Sequence, residues 1–217
     1  MSVDSQLLGA PYGAATRNPF NYVKFEQIGR DVVTPWLTLD EITNQINLFQ
    51  DESQDDYLGQ LELATRMAIE DYLGVPIFNV TYQASYLISG LMAAPVSLDL
   101  PEVSQTGVTI NWVKYYNGLN PPVLTTIASS QYYYDPTGNK LVLFEVPNNV
   151  NTYMTAPMLC QYTLQGSVIG QYPVVKQAGL MLLTHFYNNR SAISEAKQYQ
   201  LPWAIDQLLR PYKTLVM

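Results

Sequence analysis

Residues 61–77 read LELATRMAIEDYLGVPI. Leu61, Thr65, Ala68, Ile69 and Tyr72 recur at the spacing of a helix with one buried face, and Leu58 carries the stripe back one turn. Gly74 stands where a helix end favours a left-handed residue, and Pro76 just beyond cannot continue the helix. A helix over about residues 55–73 follows. The stretch upstream, TLDEITNQINLF at 38–49, begins as sharply. Thr38 is the N-cap and Glu41 lies three residues on, so each side chain satisfies a backbone N–H of the other. Leu39, Ile42, Ile46 and Phe49 then form one face. The two stretches predict a helical hairpin.

Outward from the hairpin the pattern changes. From about residue 76 to 165, IFNVTYQASYLI, VTINWVKYY, VLTTI, SQYYYD, KLVLFEV and APMLCQYTL are rich in β-branched and aromatic residues, partly alternating. NGLNPP, DPTG and VPNNVN supply turn chemistry between them, and YYYDPTGNKLVLF reads as a β-hairpin. A third helix opens near Pro173, with Val174, Ala178, Met181 and His185 on one line and Val175, Leu182 and Phe186 beside it. A last short helix begins near Pro202, before Pro211 interferes. Residues 1–36, broken by Pro11, Pro19 and Pro35, read as an N-terminal arm in which FNYVKFEQI is at most a short strand. The expected fold class is α+β: a small helical bundle, made of the hairpin and two C-terminal helices, with a β-rich insertion. One domain over 37–217 holds the insertion at about 76–165 and the C-terminal helices with a docking tail at about 173–217.

Composition bounds the function. The chain has 217 residues, and only 13% of them are charged, about half the roughly 25% usual for soluble domains. Asn, Gln, Thr, Ser and 17 tyrosines fill the deficit. Charge-poor, tyrosine-rich surfaces favour contact with other proteins. The net charge of −7 argues against gripping nucleic acid by its phosphates, which needs a basic patch. It is compatible with a surface past which DNA slides. Cys160, alone, has no partner for an internal disulfide and sits in an apolar run. The first residues carry no secretory signature and no stretch has the length of a membrane span. The expectation is a reducing cytoplasm, or a particle assembled there. The glycosylation sequons at Asn79 and Asn189 then carry no weight.

Chemistry is sparse. His185, in HFYNNR, is the only histidine and lies on the apolar line of its helix near its end, so packing or capping is the expected role. No second histidine or cysteine pair completes a metal site around it. Asp51, Glu52, Asp55 and Asp56 form the densest acidic cluster, but Asp55 and Asp56 lie where a helix start favours negative charge, and the spacing of a calcium loop is missing. No GxxxxGK[ST], no GxGxxG after a strand and no GxSxG occurs. The chain is expected to be no enzyme and to carry no metal or cofactor.

TLDEITNQINLF, the acidic DESQDDYL and LELATRMAIEDYLGVPI together resemble the N-terminal half of the tailed-phage head–tail connector (head-completion adaptor) proteins. VVKQAGLMLLTHFYNNRSA is similar to that family's closing helix, and PWAIDQLLRPYK to its final short helix. The matches fall in family order over roughly residues 34–80 and 170–213. The resemblance implies a structural virion protein at the head–tail junction, assembled in the host cytoplasm. It implies a dodecameric ring beneath the portal, which extends the DNA channel and gives a platform to the next neck or tail protein. DNA would pass without sequence-specific binding, and no membrane would be involved. On that reading the portal or subunit interface falls to Trp203, Leu208, Leu209, Tyr212, Leu215, Val216 and Met217, apolar surface that a partner groove buries at ~25 cal/mol per Å². The acidic turn of Asp51, Glu52, Asp55 and Asp56 is the candidate for facing the channel. An alternative from another class is a β-rich accessory or tail module recognising a glycan or another virion protein, with Trp112, Tyr115 and Tyr116 stacking on sugar rings.

Overall fold

The computed structural model describes residues 21–48, 52–88, 94–101, 107–189 and 203–213, with Trp203 described by its backbone alone. The chain is α+β. Its described residues divide into two units, a β unit (residues 21–29, 81–88, 94–101 and 108–164) and a helical unit (residues 30–48, 52–80, 107, 165–189 and 203–213).

The β unit has eight strands among the described residues: β1 (Tyr22–Arg30), β2 (Val80–Tyr86), β3 (Val96–Asp99), β4 (Val108–Tyr116), β5 (Leu124–Thr126), β6 (Tyr132–Asp135), β7 (Lys140–Leu143) and β8 (Met158–Leu164). They form a five-stranded sheet of order β1-β2-β8-β4-β5 and a three-stranded sheet of order β3-β7-β6. β4 runs antiparallel to β8, with Val113 opposite Cys160, and its register shifts between Ile110 and Trp112. Alternation decides which side is buried. Met158, Cys160, Tyr162 and Leu164 of β8, Val113 and Tyr115 of β4, Leu98 of β3 and Leu141 and Leu143 of β7 belong to one apolar core, so the two sheets share a buried layer. The Tyr86 hydroxyl donates to the Asp99 carbonyl at 2.8 Å, which joins β2 to β3. The β6–β7 hairpin is present as the sequence predicts, Asp135 pairing with Lys140 around DPTG.

The helical unit contains α1 (Leu39–Ile46), α2 (Asp55–Leu73), α3 (Pro173–Asn188) and α4 (Trp203–Leu209). Thr38 and Glu41 form the expected capping box. α2 ends on Gly74, whose φ of 70° is the left-handed conformation a side chain would strain. α3 packs against α1, α2 and α4. Its Gly179 lets the Trp36 indole lie directly on the helix backbone, since an added Cβ would sit 2.6 Å from the ring. The indole N–H donates to the Gly170 carbonyl at 2.7 Å.

Three expectations are corrected. The strand expected to be at most short within residues 1–36 is nine residues long: β1 is hydrogen-bonded to β2, and Trp36 beyond it is buried in the helical core. Since β1 precedes the first helix, the five-stranded sheet takes one strand from outside the insertion, which holds the other seven described strands. β3 has no counterpart among the expected strands, and Phe49 and residues 1–20 lie outside the described residues. In α3 the buried line runs Val175, Ala178, Gly179, Leu182 and Leu183, so Val174 is exposed and Met181 and His185 are only partly covered.

On α2 the buried face is partly charged. Glu62, Arg66 and Glu70, one turn apart, are all buried beside Thr65 and Ile69. They hold the segment that leads from β1 to α1. Glu62 Oε1 accepts from the Trp36 N–H at 2.9 Å, Arg66 donates to the Thr34 and Asp31 carbonyls at 2.7 and 2.5 Å, and Glu70 accepts from the Ile77 N–H and pairs with Arg30 at 3.3 Å. Residues 32–35 of that segment are exposed and Trp36 and Leu37 are buried, and the polar stripe pairs with the backbone groups that the segment turns towards α2.

Candidate functional site

In the helical unit the acidic turn is only partly described. Asp51 lies outside the described residues, while Glu52 opens a 3-10 turn and Asp55 and Asp56 occupy the first turn of α2. Glu52 and Asp56 are exposed. Their negative charge faces the positive end of the α2 dipole. Among the described residues no group of three His, Cys, Asp or Glu is placed to hold a metal ion.

The C-terminal element contributes less free apolar surface than the sequence implied. Ile205 and Leu209 are fully buried in the bundle, and Leu208 and Tyr212 pack against it. Leu209 is therefore part of this chain's own core. Trp203 opens α4, and Leu215, Val216 and Met217 lie outside the described residues. The end of the described chain is anchored. Tyr212 meets Tyr172 edge-on at 5.7 Å, Lys213 lies over the Tyr72 ring, and the Tyr72 hydroxyl donates to Asp206 at 2.6 Å. That hydrogen bond to a carboxylate raises the Tyr72 pKa above its ordinary value.

His185 sits in the last turn of α3, partly buried beside Phe186, and its carbonyl accepts from the Asn189 side chain at 2.8 Å. Arg190 lies outside the described residues. Cys160 is fully buried, and desolvation pushes its thiol far above the ordinary range, so it stays protonated.

In the β unit, Trp112 and Tyr116 lie on one face of β4 and Tyr115 on the other. Strand alternation puts Tyr115 in the core, where its hydroxyl donates to Asn149, and Trp112 on the other side with Lys114 over its ring at 4.4 Å. The three make no common stacking platform for a sugar. A cleft of ≈ 350 Å³ lined by Tyr115, Ile127, Gln131, Glu145 and Asn148 holds one carboxylate and several amides, with neither histidine nor cysteine.

The prominent surface of the β unit is a pair of tied loops. Asn117 forms a bridge with Val150, and its side chain accepts from the Leu119 and Val123 N–H groups. Asn151 donates to the Asn117 carbonyl and accepts from the Tyr153 N–H. The Gly118 N–H donates to the Asn149 carbonyl, and the Asn151 N–H to that of Tyr116. On this frame Leu119 is 62% and Tyr153 98% exposed, with Val123 half exposed. The sequence carries a signal for it: residues 115–134 and 146–175 contain no Asp, Glu, Lys or Arg. Reading total charge alone passes over that clustering.

No family model matches the chain, and no curated protein sequence does. Its fold does find counterparts. A chain in the neck of an empty gene transfer agent (GTA) particle, computed with C6 symmetry, superposes with a TM-score of 0.58 over 90% of this chain and 97% of that one, at 13% identity. This chain is similar in fold to a GTA neck chain. A chain of the native GTA virion gives a TM-score of 0.54 at 13% identity, and one in the native GTA neck computed with C12 symmetry gives 0.52 at 12%, both over 90% of this chain and 97% of theirs. At these identities the likeness to the GTA chains is one of fold.

Proposed function

We infer that the chain is a structural virion protein of the neck of a phage-like particle, where it acts as the head–tail adaptor. The observation that carries this reading is the fold likeness, which takes in nearly the whole of a neck chain and leaves little of either chain over. Order along the sequence supports it, since the stretches that resemble the connector family fall in α1, α2, α3 and α4. In this role copies form a dodecameric ring beneath the portal, in keeping with the C12 symmetry of one such neck. The ring extends the DNA channel and offers a platform to the next neck or tail protein. The net charge of −7 suits a channel that DNA crosses without adhering. On this reading the acidic turn of Asp51, Glu52, Asp55 and Asp56 faces that channel, and Trp203, Leu208, Tyr212, Leu215, Val216 and Met217 meet the portal or a neighbouring copy, with Leu209 inside the bundle that carries them. The work is done by shape and contact, with no covalent step.

Labelling purified particles with antibody against this chain tests the reading by electron microscopy. Label confined to the head–tail junction is the expected result. Label over the capsid shell or at the distal tail tip contradicts it.

A further inference from the structure

We propose that the tied loops 117–123 and 149–154 are the contact between neighbouring copies of this chain, with Leu119, Val123 and Tyr153 seated on the next copy. The inference rests on the ring reading above and names the surface that closes the ring. Three observations carry it. The apolar groups are exposed on a frame that Asn117 and Asn151 already hold by hydrogen bonds, so seating them orders little that was free. An aromatic ring as exposed as Tyr153, on a backbone this constrained, is the kind of anchor that fills a pocket on a partner.

The third observation selects the occupant. Each copy is acidic overall, so the net charge of one copy opposes the approach of the next. Contact between copies is least opposed where charge is absent, and each loop falls inside one of the three long stretches without a charged residue, 115–134 and 146–175, the third being 72–98. A basic partner would instead be met by the acidic surface elsewhere on the chain. In a closed ring the contact is head-to-tail, so the loops of one copy meet a different patch on the next.

The test introduces charge on the loops of the full chain. Tyr153→Asp, Leu119→Asp and the double variant are compared with Tyr153→Phe and with Val33→Asp, which places the same charge on an exposed residue of the helical unit. Ring formation is read by mass photometry, alone and on purified portal, and folding by circular dichroism. The expected result is a ring population at least tenfold lower for Y153D and L119D, with folding intact and with rings retained by Y153F and V33D. A photo-crosslinking phenylalanine analogue at position 153 should join copy to copy. Rings that survive the charged double variant overturn the proposal while the ring reading stands. So does equal loss in V33D, or crosslinking to a portal or downstream protein instead. An unsubstituted chain that forms no ring under either condition overturns both.

Discussion

Replacing Arg66 tests whether the polar stripe of α2 holds the helical unit together. Arg66 is 1% exposed and donates to the Asp31 and Thr34 carbonyls, with its guanidinium 4.8 Å from the centre of the Phe78 ring. Arg66→Met keeps most of the side-chain volume and removes the fork. Each charge-assisted hydrogen bond contributes about 1.5–3 kcal/mol net, and the lost ring contact ~0.5–2 kcal/mol. The buried Glu62 and Glu70 also lose their nearest cation on the helix. Partial rehydration of the carbonyls offsets some of this, leaving a loss of ~3–5 kcal/mol, the range for breaking a buried ionic network. At a urea dependence of ~2 kcal/mol per M, the midpoint falls by roughly 1.5–2.5 M. Urea titration followed by helical circular dichroism reads this directly, with Arg66→Lys, which keeps charge but not the fork, expected in between. A midpoint shift below ~0.3 M for R66M refutes the reasoning.

Three further outcomes are expected. Burial holds the Glu62 carboxyl above its ordinary pKa of 4.5, outweighing the N–H groups of Trp36 and Leu37 and the charge of Arg66. The folded state therefore binds this proton more readily than the unfolded chain. The associated stability is fully present below pH 4.5 and is lost as pH rises through the folded value. Glu62→Gln should have a flatter stability profile above that pH in urea titrations, and an unchanged slope contradicts the assignment. Gly179→Ala should lower the melting temperature, because overpacking against Trp36 costs ~1–3 kcal/mol and exceeds the ~1 kcal/mol of helix propensity gained; a higher melting temperature would show that the indole yields freely. Deleting residues 214–217 should abolish portal binding with the circular dichroism unchanged, and undiminished binding removes the tail from that interface.

What is legible in the sequence is whatever has a local cause. The Thr38–Glu41 box, the Gly74 stop and the DPTG hairpin depend on neighbours in sequence, and each appears where expected. β1 is undervalued because its burial pattern is irregular and its partner β2 arrives only after two helices have intervened. β3 has four residues among prolines, too few to display alternation. Apolar periodicity finds Leu58, Thr65 and Ile69 on the inner face of α2 but leaves out Glu62, Arg66 and Glu70, which are buried to serve a distant backbone segment and which no hydropathy scale ranks as core. The proposed assembly surfaces are the least legible. Apolar character on a short terminal segment nominates Leu209 for an interface, although the bundle itself buries it, and turn chemistry alone marks the tied loops as turns. Their clustering of exposed apolar groups within uncharged sequence becomes visible only when Asn117 and Asn151 bring the two loops together.

The central claim is that copies of this chain close into a ring at the portal. Mass photometry of the purified protein, alone and mixed with the portal of the same particle, tests it most directly. A discrete species at twelve times the 24.4 kDa subunit mass, or that mass added to the portal, is the predicted result. A monomer or trimer indifferent to portal would contradict it.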